Sequence, residues 1–145
     1  SLVGALNDLR GDVGDATPNN LLCGEAGGIT LGDLVCIKHN GAAVRVYKCD
    51  NTDVTLNRAV GVALASAILG AAVRYATGGK VIVNSITNVP VNQEGKYLFM
   101  TAGGGVTLTP PVTGTTVVVG VLSTSGIAGV SEMIFQPMTP ATSTP

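Results

Sequence analysis

The sequence has no tryptophan, one histidine, and only three tyrosines and two phenylalanines. A core must therefore be assembled from small and β-branched side chains. A glycan-binding face, which leans on aromatic platforms, has only Tyr47, Tyr75, Tyr97, Phe99 and Phe135 to draw on. Charge is also scarce: Asp, Glu, Lys and Arg make up 12% of residues, about half the usual share of roughly 25%. Such a surface lacks the groups that keep a monomer apart from its neighbours, which implies an obligate partner, with further copies of the chain the first candidate. The eight Lys and Arg are dispersed and the net charge is −1, so no basic stripe is available to neutralise phosphates and nucleic-acid binding is disfavoured. No apolar run is long enough for a membrane helix. The best window, 59–73, holds Ser66, is flanked by Arg58 and Arg74, and falls short of roughly 18 residues.

Secretion signals are missing as well. The opening apolar stretch, 2–6, is too short for a signal-peptide core and is soon followed by Asp8, Asp12 and Asp15, while Ser1 suggests removal of an initiator methionine. Cys23, Cys36 and Cys49 form an odd set with no CxxC pair, and in a chain without a leader the expectation is reduced thiols packed as small apolar residues.

Reactive groups are few. His39 precedes the Asn40-Gly41 turn and should sit at an exposed hairpin tip. Strand alternation puts Cys36 on the opposite face from it, and Asp33, on its own face, lies six strand residues or roughly 20 Å away. The Thr77-Gly78-Gly79-Lys80 segment fails the phosphate-loop pattern, with Arg74 where glycine is needed and Val81 where Ser or Thr is needed. No serine stands in a G-x-S-x-G elbow. Asp50 and Asp53 lie in a polar CDNTD stretch that reads as solvated turns, and Arg10-Gly11-Asp12 is a three-residue match to an adhesion tripeptide with no rigid context. The expectation is a protein that is not an enzyme and carries no cofactor or metal.

The positive signal is a repeat. Residues 32–66 (GDLVCIKHNGAAVRVYKCDNTDVTLNRAVGVALAS) and 95–123 (GKYLFMTAGGGVTLTPPVTGTTVVVGVLS) each run from glycine through an apolar strand, a glycine turn and a second strand to Val-Gly-Val with a leucine. Strands are expected at 34–38, 44–48, 59–65, 72–75, 80–84, 96–101, 106–109, 117–122 and 132–136. Connections this short favour an all-β antiparallel sandwich or barrel built from two related strand-turn-strand units, because parallel crossovers need more chain. Asn40-Gly41 predicts a type I′ hairpin turn with positive φ at both central residues. Three regions follow: an N-terminal arm (1–28), a β domain (29–136) and a Pro/Thr-rich tail (137–145).

Within the arm, Leu2, Leu6, Leu9 and Val13 share one helical face, yet Gly4, Gly11 and Gly14 weaken any helix. Leu2, Val3, Leu6, Leu9, Leu21 and Leu22 are uncovered apolar residues unless something packs on them, and they are the candidate partner-binding set. Strand addition to a sheet edge and a helix in a groove both remain open, as does packing on the chain's own core.

The segments GITLGDLV (28–35), AVGVALASA (59–67), GAAVR (70–74), GKYLFMTAGGGVT (95–107) and VVGVL (118–122), taken in order, resemble the head decoration (cement) proteins of tailed bacteriophages. The resemblance spans roughly 28–136, and similar repeats occur in tail-fibre and baseplate modules. It implies an all-β structural protein, forming homotrimers that bind the major capsid protein on the outer shell surface at three-fold and quasi-three-fold positions. Such a protein would be made in the bacterial cytoplasm and end in the virion. It also implies capsid contact through an N-terminal arm. The alternative it leaves is a tail-fibre or baseplate module that binds tail proteins or host glycans.

Overall fold

A computed structural model describes residues 21–87, 89–124 and 130–138. Among them are nine antiparallel strands: β1 (Leu34–His39), β2 (Val44–Lys48), β3 (Gly61–Ala63), β4 (Tyr75–Ala76), β5 (Gly79–Thr87), β6 (Tyr97–Met100), β7 (Val106–Thr107), β8 (Val118–Leu122) and β9 (Val130–Phe135). Each predicted strand segment overlaps one of them, although β4 keeps only the end of the segment expected at 72–75.

The strands form two curled antiparallel sheets, ordered β2-β1-β3-β4 and β5-β9-β8-β6-β7. Read from the far edge, the second is β7-β6-β8-β9-β5. The first strand of each unit is therefore central, with its hairpin partner on one side and the Val-Gly-Val strand on the other. Even the outermost position is echoed: Leu22 bridges Ala72 antiparallel just before β4, on the side where β5 stands beyond β9. The repeated sequence is a repeated topology.

Alternation along the strands divides the apolar residues into two clusters. Leu34 and Cys36 of β1, Val62 of β3 and Ala76 of β4 face the second sheet. There they meet Val81, Val83, Leu98, Met100, Val119, Met133 and Phe135 in the main core. The other face of the first sheet carries Val35, Val46, Ala63 and Tyr75, which pack with Cys23, Ile29, Ala67 and Val73 from the flanking segments. Two loops lock the halves together. Asn51, buried at 4% exposure, donates from Nδ2 to Thr113 O at 2.8 Å, while Thr115 N–H donates to Asn51 O at 2.8 Å.

Three expectations need correction. Cys36 and Cys49 are not reduced: they form a disulfide with Cα atoms 5.3 Å apart, enclosed in the main core, and Cys23 alone is a buried free thiol. The hairpin turn is displaced by one residue. Positive φ falls on Gly41 (94°) and not on Asn40; Asn40 Oδ1 instead accepts from Ala42 N–H and Ala43 N–H, both at 3.0 Å. Glycine at the first central position alone belongs to a type II′ turn. Finally, residues 21–28 belong to the β body and not to an arm. Cys23 is fully buried, Leu21 packs on the second cluster, and Cys23 and Gly24 N–H donate to Ala71 O and Val46 O, both at 2.8 Å. At the other end, Met138 N–H still donates to Val118 O at 2.9 Å, which carries the body slightly past its expected limit.

Candidate interaction surfaces

The candidate reactive residues are occupied by structural work. His39 is exposed on the hairpin, and its Nδ1 accepts from Gly41 N–H at 3.1 Å. Asp33 is buried, accepting from Thr30 N–H at 2.8 Å and Asn84 Nδ2 at 3.0 Å. Asn84 Nδ2 also donates to Leu31 O at 2.7 Å, so this trio ties β5 to the entry of β1. Asp50 and Asp53 each cap a small turn, accepting from the backbone N–H and hydroxyl of Thr52 and Thr55, respectively. The two hydrogen bonds from Thr55 hold the exposed Asp53 carboxyl below the usual carboxylate range. Among the described residues no group of three or more His, Cys, Asp or Glu could hold a metal, and no helix is long and apolar enough to cross a membrane. Lys80, in the rejected phosphate-loop segment, pairs with Glu132 at 4.0 Å. Arg10-Gly11-Asp12 lies outside the described residues.

The aromatics do not assemble a platform. Phe135 and Tyr75 are buried, Phe99 is half-buried, and Tyr47 carries Lys38 Nζ at 5.7 Å from its ring centre. Tyr97 is exposed. Burial of Tyr75 raises its phenol above the ordinary value of 10.0, since the phenolate would lose its hydration. The folded state thus keeps its full stability below pH 10 and loses it as pH rises through the higher folded value, because the unfolded phenol ionises first. Alkaline titration of the unfolding midpoint should show this loss, and Tyr75→Phe should flatten the titration above pH 10.

What remains is surface. Val54, Ile68, Leu69, Val91 and Val112 are exposed on loops, with Ile68 and Leu69 side by side at 77% and 54% exposure. A second apolar group lies where the two sheets part: Leu31, Leu64 and Ile82 are 43%, 36% and 42% exposed, and with Ala63, Lys80 and Glu132 they line a cleft of about 450 Å³. Neither group announced itself in the sequence, where these residues read as ordinary strand or turn positions. Of the predicted partner-binding residues, Leu21 and Leu22 are part-buried and hydrogen-bonded into the body; Leu2, Val3, Leu6 and Leu9 lie outside the described residues. No protein-family model, curated protein or solved structure matches this chain.

Proposed function

We propose that this protein is a structural binding module that cements a bacteriophage shell, gripping the outer face of the capsid through apolar surface and not through a reaction centre. The observation that carries the binding role is the exposure of large aliphatic side chains on a weakly charged all-β body, above all Ile68 and Leu69 on one turn. Isolated aliphatics are ordinary on protein surfaces, whereas adjacent ones with few charges nearby favour a covered state. The shell as partner rests on the sequence resemblance to head decoration proteins. The enclosed Cys36–Cys49 disulfide is in keeping with it, since such bonds persist at virion surfaces and not in a reducing cytosol. Assembly as a homotrimer would multiply modest contacts: three copies engaged together bind far more tightly than each alone.

Mixing the purified protein with undecorated heads and with isolated tails, then sedimenting, tests the reading. Cosedimentation with heads is expected. Cosedimentation with tails alone would replace the proposal with a tail module. Ile68→Asp combined with Leu69→Asp should leave the unfolding midpoint nearly unchanged and weaken head binding by about tenfold or more, the scale of a lost apolar anchor.

A further inference from the structure

The sequence holds one Asn-Gly pair, Asn40-Gly41, and the fold surrounds it with the groups that ring closure at such a pair requires. Asparagine loses its side-chain amide when the following backbone nitrogen attacks Cγ. That step needs a base for the N–H, a stabiliser for the oxygen that gains charge, and room for the chain to bend. Gly41 N–H donates to His39 Nδ1 at 3.1 Å, within the reach expected of a general base. Nδ1 accepts it in the neutral ring that carries its proton on Nε2. Asn40 Oδ1 accepts from Ala42 N–H and Ala43 N–H, both at 3.0 Å. Two converging backbone donors are the pattern of an oxyanion hole, and because both are donors they also fix which side-chain atom is the oxygen. Gly41 has φ 94° and nothing lies within 4 Å of where a Cβ would stand, so the 40–41 peptide is free to turn toward Cγ. Residues 39–44 are all exposed, which opens the site to water.

We propose that Asn40-Gly41 is a self-modifying site, at which the folded hairpin promotes its own deamidation with His39 as the base and the Ala42 and Ala43 amides as oxyanion donors. Gly41 N forms a bond to Asn40 Cγ and passes its proton to His39 Nδ1, giving a tetrahedral centre whose oxygen stays on the two donors. That centre collapses by breaking Cγ–Nδ2. The imidazolium returns the proton to the departing nitrogen, ammonia leaves, and a five-membered succinimide remains. Water, the one co-reactant, then opens the ring at either carbonyl. It leaves aspartate or, with the main chain rerouted through Cγ, isoaspartate at position 40. Asn51 marks the contrast: it is 4% exposed, is followed by Thr52, and is engaged through Nδ2, which donates to Thr113 O at 2.8 Å. The product alters a defined surface. Asn40, Arg45 and Leu69 line one cavity of about 400 Å³, and Arg45 Nη1 donates to Cys23 O at 3.3 Å. Deamidation puts a negative charge into the cavity of this guanidinium, beside the exposed Leu69.

Incubating the full-length protein at neutral pH and following it by peptide mapping with mass spectrometry tests the site. The folded chain should convert position 40 at least about fivefold faster than the same chain unfolded in guanidinium chloride, with isoaspartate among the products and Asn51 unconverted. A folded rate equal to or below the unfolded one overturns the proposal, since the pair would then owe nothing to its surroundings. His39→Phe keeps an aromatic ring that cannot accept the proton. Its folded rate should fall at least about fivefold, while its unfolded rate matches that of the unmodified chain. An undiminished folded rate in the variant, with the unfolding midpoint preserved, removes His39 as the base and defeats the assignment. The comparison of folded with unfolded chain needs no substitution, so it decides the matter even where the variant folds poorly.

Discussion

Replacing Gly120 with alanine is expected to cost about 3 kcal/mol or more, at the upper end of overpacking effects, and to leave much of the protein unfolded at moderate denaturant. An added Cβ would run into the carbonyl oxygen of Ile134 on the adjacent strand, with the Met133 sulfur close behind. Side chains can rotate out of the way, but a backbone oxygen cannot move without parting β8 from β9. Gly61, the glycine of the first Val-Gly-Val, meets the same obstacle: its Cβ would lie 2.5 Å from Ala76 O and from the Tyr75 ring. Gly61→Ala should therefore destabilise on a similar scale. Urea titration of both variants beside a Gly78→Ala control, where nothing lies within 4 Å, checks the claim. Equal midpoints for all three would remove close strand approach as the reason for the repeated glycines.

Loss of the Cys36–Cys49 bond is the second large effect. The bond joins residues 13 apart, and closing a loop of that size restricts the unfolded chain by about 3 kcal/mol. Both sulfurs lie in the main core, so the Cys36→Ser/Cys49→Ser variant adds the cost of burying two hydroxyls, while Cys36→Ala/Cys49→Ala isolates the crosslink. A fall in unfolding free energy of about 3 kcal/mol is expected for the alanine pair, and little further loss when a reductant is added to it. If the reductant leaves the unmodified protein's midpoint unmoved, the bond contributes nothing.

The expectation of reduced thiols came from the odd cysteine count and the lack of a leader, and the one-residue error in the turn would have concealed the Cys36–Cys49 pairing as well. With Asn40-Gly41 at the centre of the hairpin, position 39 would face 42, and Cys49 would fall opposite position 32, four residues or about 13 Å along from Cys36. In the structure His39 faces Val44 and Cys36 faces Tyr47. Cys49, whose N–H donates to Leu34 O, then becomes a diagonal neighbour of Cys36 on the same face. Turn chemistry indicated a hairpin but not which residue carried the positive φ. Strand positions were more legible, since Val-rich runs between glycines need no partner to be recognised, and so was the duplication, which survives as strand order. Its inside-outside register does not survive: aligning the two Val-Gly-Val motifs pairs Val62 with Val121, yet Val62 is in the core and Val121 is only half-buried. The cleft was illegible because its lining comes from segments as far apart as Leu31, Ile82 and Glu132, which meet only once two sheets have formed.

Because the two sheets share one plan and follow one another along the chain, the first complete by Ala76 and the second starting at Gly79, the molecule resembles a fused pair of ancestral half-proteins. A break in the peptide between Thr77 and Gly78 would separate two pieces that each expose one wall of the same interior. Neither would be expected to persist by itself, and co-expressed they should recombine into a nicked body. The linker between the halves would then be a convenience of inheritance, and the cohesion of the body would reside in the seam between its twins.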